Sequence, residues 1–128
     1  MTSYRTPLGR ARGLGSAKHG VGHWISERVS SVALVFLCLW ALWSGLVLAR
    51  TDYVGATDWA HAPVNAVMLV LLLAVGFWHM HAGMRVIVED YVYGHLTKTA
   101  ALLANYFLCL LVGALAIISI LKVALGGA

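Results

Sequence analysis

Between Phe77 and Tyr93 the chain reads FWHMHAGMRVIVEDYVY, which places His79, His81, Arg85, Glu89, Asp90 and Tyr91 at the end of a long apolar run. An ionisable side chain at mid-membrane costs about 3 kcal/mol on insertion scales, and such groups are kept where they bind or move something. On a helix turning about 100° per residue, Gly83, Val86 and Asp90 fall within roughly 40° of His79, while His81 and Arg85 form a second face. The two histidines therefore meet different neighbours. Gly76 and Gly83 leave flat space one turn to either side of His79. That space suits the close approach of another helix or a planar macrocycle.

His79 stands nine residues before Val88, about 13 Å along a helix, and so lies well inside the hydrocarbon layer. A neutral imidazole there suits haem iron and equally suits a hydrogen bond to a neighbouring helix; both readings stay open. If the ligand is a haem with two axial donors, the second comes from another subunit. His81 points elsewhere, His19, His23, His61 and His95 lie at or beyond the membrane edges, and the other two apolar blocks hold neither His nor Met.

Glu89 and Asp90 close the same segment at a helix C-terminus, where the macrodipole disfavours negative charge, so helix stability does not account for them. Tyr91 follows directly. Tyrosine is common in interfacial belts, but a phenol beside a carboxylate can also bind and protonate a lipid-soluble carbonyl compound such as a quinone.

The elements that must hold these groups are set by composition. Of 128 residues, 61% are hydrophobic and 11% are charged, well below the roughly 25% charge of a soluble domain. The apolar residues fall in three blocks, residues 29–49, 64–84 and 99–121, each close to the roughly 20 residues that cross a bilayer. The expected fold is an all-α membrane protein of three transmembrane helices, with spans at about 29–49, 64–88 and 99–123. A basic arm, residues 1–28, precedes the transmembrane domain of residues 29–128.

Arg5, Arg10, Arg12, Lys18, Arg28, Arg85 and Lys98 fall on one side of this topology, against Arg50 and Lys122 on the other. The positive-inside rule puts the N-terminus inside and the C-terminus outside. The arm, glycine-rich and without an apolar period, is expected to be extended, and the first loop, residues 50–63, to be an interfacial segment with Tyr53 and Trp59. The arm is too polar for a signal peptide, and no small-residue cleavage site directly follows the first block. The Arg-rich, acid-free composition of its first 23 residues is closer to that of a transit peptide. The expected location is the bacterial inner membrane, with the mitochondrial inner membrane as the alternative. Cys38 and Cys109 sit in different spans and are read as small apolar filler. There is no Walker loop, no G-x-G-x-x-G, no repeat and no cysteine pair at metal spacing. No nucleic-acid partner is expected.

The segment from His79 to Val92, with Gly83 four residues after the histidine and Asp90-Tyr91 eleven and twelve after it, resembles the H-x(3)-G-x(6)-D-Y-V signature of the small membrane-anchor (D) subunits of succinate dehydrogenase, complex II. The stretches GSAKHGVGHW, from Gly15, and RVSSVALV, from Arg28, are similar to the start of alphaproteobacterial members. The resemblance covers most of the chain. It implies a three-helix subunit paired with a second anchor (C), the two holding the flavoprotein (A) and iron–sulfur (B) subunits at the inner face, with haem b between the anchors. It further implies His79 as this chain's axial haem ligand, Arg28 and His23 near the haem propionates, and Tyr91 with Asp90 at a site for ubiquinone or menaquinone. His81 is expected to be a helix-packing or hydrogen-bonding group. The alternatives are a haem-free structural anchor and a small proton-coupled transporter.

Overall fold

A computed structural model of the chain describes residues 4–13 and 20–126. Lys18 and His19, counted above among the basic groups and histidines, lie outside the described residues. Five helices follow in order: α1 (Pro7–Ala11), α2 (Gly20–Leu48), α3 (Tyr53–His61), α4 (Pro63–Tyr91) and α5 (His95–Ala124). Among the described residues there is no strand, and α2, α4 and α5 are each long and apolar enough to cross a membrane.

The long helices overrun the expected spans. They hold 29, 29 and 30 residues, about 43–45 Å at 1.5 Å per residue, whereas the hydrocarbon core is about 30 Å thick. An apolar run marks only the part of a helix that lies in lipid. Propagation continues past it because each added residue gains a backbone hydrogen bond without a new nucleus. At the start of α2 this extension is held by pairs four residues apart. His23 Nδ1 lies 3.9 Å from Glu27 Oε1, and the Arg28 guanidinium sits 5.6 Å from the centre of the Trp24 ring.

One further expectation is corrected, and another gains a local structure. The arm is not wholly extended: Thr6 caps α1, accepting from the Gly9 amide at 3.1 Å, and Pro7 starts the helix with its φ already set. The turn ends at Gly13, whose φ of 62° favours glycine. The first loop is likewise folded as α3, capped by Asp52, whose Oδ1 accepts from the Gly55 amide at 2.9 Å. Asn65 then donates to the Trp59 carbonyl at 2.8 Å, which joins the end of α3 to the start of α4. Trp59 stacks on Trp40 of α2, ring centres 5.8 Å apart.

Helix α4 packs against both α2 and α5. On α2 the buried residues are Ser30, Leu37 and Ser44, seven apart and so on one face; on α5 they are Cys109 and Gly113, four apart. Cys38, by contrast, is exposed and fills no core within the chain. Small residues make these seams because helices in lipid gain from close packing and hydrogen bonds rather than from leaving water. Gly113 illustrates the point: a Cβ there would stand 3.1 Å from Phe77 Cγ. Large apolar side chains such as Phe36, Trp43 and Leu111 face outward, which leaves broad surfaces for lipid or another chain.

Candidate functional site

The antiparallel run of α2 and α4 brings residues of the first long helix beside the two histidines of the second. His79 Nδ1 lies 2.9 Å from Ser30 Oγ. The same Ser30 hydroxyl is 3.0 Å from the Glu27 carbonyl, to which it donates, and Ser30 is only 7% exposed. One residue earlier, the Trp78 indole N–H donates to Ser26 Oγ at 3.2 Å, so two consecutive residues of α4 are tied to α2. Among the described residues nothing hydrogen-bonds the other ring nitrogen of His79.

The glycines flanking His79 differ from Gly113. A Cβ added at Gly76 or Gly83 would meet nothing within 4 Å. Close packing within this chain therefore uses Gly113, and the space beside His79 is open to something outside the chain.

His81 faces the other way. Asn105 of α5 donates to the His81 carbonyl at 3.0 Å and stands 3.1 Å from His81 Nδ1, while Tyr106 meets the ring edge-on at 5.5 Å. Cys109 Sγ donates to Asn105 Oδ1 at 3.4 Å and extends the same network. His81 is thus a hydrogen-bonded packing group between α4 and α5. It lines a shallow apolar groove of about 270 Å³ with Phe77, Tyr106 and Gly113.

At the end of α4 the acid pair separates. Arg85 Nε donates to Glu89 Oε1 at 2.7 Å, and Lys98 Nζ donates to the Glu89 carbonyl at 2.8 Å, which offsets part of the charge at this helix terminus. Asp90 has no hydrogen bond or ion pair among the described residues and is exposed; Tyr91, the last residue of α4, is 76% exposed. These two stand about 17 Å along the helix axis from His79, at the same end of the bundle as the start of α2. Arg28 and His23 lie within two turns of Ser30 and are exposed; among the described residues Arg28 is engaged with Trp24 and His23 with Glu27. Arg28, Arg85 and Lys98 share this end, and Arg50 and Lys122 stand at the other. Among the described residues no three His, Cys, Asp or Glu side chains cluster as ligands for a metal ion.

Ser30 is the residue that sequence reasoning missed. Its signal was present in Ser30 and Ser44, polar residues fourteen apart and so on one face of a lipid-embedded helix.

Residues 2–121 match the sequence model of the succinate dehydrogenase/fumarate reductase transmembrane subunit family. The chain is similar to the succinate dehydrogenase hydrophobic membrane anchor subunits of three bacteria. It is 32% identical to that of Rickettsia bellii over 90 residues (70% of this chain, 71% of the relative). To that of Rickettsia conorii it is 27% identical over 108 residues (84% and 86%). To that of Paracoccus denitrificans it is 32% identical over 107 residues (81% of each).

Proposed function

Because the chain belongs to the succinate dehydrogenase/fumarate reductase transmembrane subunit family, we propose that it shares a haem b with a second anchor subunit and helps to form a quinone-reduction site. It is a membrane anchor subunit of succinate dehydrogenase, and so part of an enzyme complex. Its three apolar helices make it a multi-pass protein of the bacterial inner membrane. In this reading the end carrying Arg28, Asp90 and Tyr91 faces the cytoplasm and receives the iron–sulfur and flavoprotein subunits. Succinate is oxidised on the flavoprotein.

The observation that carries the haem assignment is the state of His79. One ring nitrogen is held by Ser30, the other is without a partner among the described residues, and Gly76 and Gly83 leave open space on either side. This donor and this space fit a haem, which when bound supplies one-electron transfer. His79 would hold it from this chain. A second protein ligand would come from the partner anchor, His81 being engaged with α5. Arg28 and His23, exposed near Ser30, would meet the propionates.

Reduction of a quinone to a quinol takes up two electrons and two protons, so a proton donor must stand at the membrane edge. Tyr91 donates its phenol O–H to a quinone carbonyl oxygen, and Asp90, which Arg85 and Lys98 leave unengaged, relays protons to the site. The quinone is ubiquinone or menaquinone.

The reduced-minus-oxidised spectrum of the purified complex tests the central assignment. A b-type signal that disappears in His79→Ala is expected, and an unchanged signal in that variant refutes the ligand.

A further inference from the structure

Among the described residues, several hydroxyls bond only to a backbone carbonyl one turn earlier in the chain. Ser31 Oγ donates to the Glu27 carbonyl at 2.7 Å, Ser119 to Leu115 at 2.8 Å and Thr51 to Val47 at 2.9 Å, the ordinary way for Ser and Thr to satisfy themselves in an apolar helix. Ser30 makes that bond and also reaches across to another helix, to His79 Nδ1 at 2.9 Å.

A serine hydroxyl has one proton and two acceptor lone pairs. The Glu27 carbonyl can only accept, so the Ser30 proton belongs to that bond and the oxygen is left to accept from His79. Nδ1 must then carry the imidazole proton. In neutral imidazole this leaves the lone pair on Nε2, on the far side of the ring from Ser30, which is the form that ligates a metal. The opposite tautomer, with Nδ1 accepting from Ser30, would place a proton on Nε2 and block it. Outer partners of this kind fix the tautomer and orientation of ligating histidines and strengthen them as donors.

We propose that Ser30 is the positioning residue for His79, accepting the Nδ1–H with its Oγ so that the Nε2 lone pair is presented to haem iron. This rests on the assignment of His79 as the axial ligand. An acceptor on Nδ1–H makes the imidazole a stronger donor and favours ferric over ferrous iron; removing it raises the haem midpoint potential.

The test uses the assembled complex purified from membranes. Haem content, the reduced-minus-oxidised spectrum, the low-spin electron paramagnetic resonance signal and the midpoint potential are measured for Ser30→Ala, Ser30→Thr, Ser31→Ala and His79→Ala. Ser30→Ala is expected to raise the potential, shift the resonance signal and weaken haem retention roughly 10- to 100-fold. Ser30→Thr, which keeps the hydroxyl, restores wild-type values. Ser31→Ala, which loses a hydroxyl bonded to the same carbonyl but not to His79, matches wild type. If Ser30→Ala does not assemble, Ser30→Cys supplies a weaker acceptor of similar size and is expected to raise the potential in the same direction. A wild-type potential and resonance signal in Ser30→Ala or Ser30→Cys, with the b-type spectrum lost in His79→Ala, overturns the role of Ser30 and leaves the ligand in place. An unchanged spectrum in His79→Ala overturns the ligand itself.

Discussion

Asn105 of α5 is hydrogen-bonded to both the carbonyl and the ring region of His81, at 3.0 and 3.1 Å, so that one amide group clamps the histidine that stands two residues from the candidate haem ligand. The clamp consumes His81 in helix pairing and divides the two histidines of α4 between its two neighbours.

His81→Leu and Asn105→Leu should therefore weaken the α4–α5 pairing without touching the haem. The expected cost is about 0.6–1.7 kcal/mol, the range for side-chain hydrogen bonds between membrane helices. Thermal unfolding of the purified complex should show the lowered Tm, with the b-type spectrum intact.

Gly113 and Gly83 should respond differently to added side-chain volume. In Gly113→Ala the new Cβ would stand 3.1 Å from Phe77 Cγ, and the resulting overpacking should cost about 1–3 kcal/mol, measured as reduced thermal stability of the complex. Phe77→Leu in the same chain should recover part of it. A Cβ at Gly83 would meet nothing within 4 Å, so Gly83→Ala should leave the Tm near wild type, whereas the bulkier Gly83→Leu should lower the haem-to-protein ratio, because it fills the open space beside His79.

Tyr91→Phe removes the exposed phenol O–H while keeping the ring. Succinate:quinone reductase activity should fall roughly 100-fold, the scale of a lost proton donor, while succinate reduction of artificial dyes is spared. Asp90→Asn should follow the same pattern. Equal loss of both activities would place the defect in assembly rather than in the quinone site.

Glu89→Gln is the matching control on the other member of the acid pair. It breaks an exposed pair with Arg85, four residues away on the same helix, worth only about 0.3–0.5 kcal/mol. Quinone reductase activity and Tm should stay close to wild type.

Much of this was legible from residue order. The three spans follow from apolar runs of bilayer length, and the separation of His79 from His81 follows from helical periodicity alone. Helix α3 was harder to see, because its nine residues carry interfacial aromatics and charges at once, and its main local signal was Asp52 as a cap. The early start of α2 was hidden for a related reason. Hydropathy reports contact with lipid, whereas the helix ends where its capping and side-chain pairs end.

The sequence by itself determined that this is a three-span helical membrane protein, that a histidine with glycines around it lies within the second span, and that an Asp-Tyr pair stands at that span's end. Only the tertiary structure decided which neighbour each group meets. It places Ser30 against His79, Asn105 against His81, and Arg85 and Lys98 on Glu89, and it leaves Asp90 and Tyr91 exposed. The reason is physical: periodicity assigns residues to faces of one helix, but the occupant of each face depends on how helices distant in the chain pack, and that is decided by small residues and hydrogen bonds that a hydropathy pattern does not record.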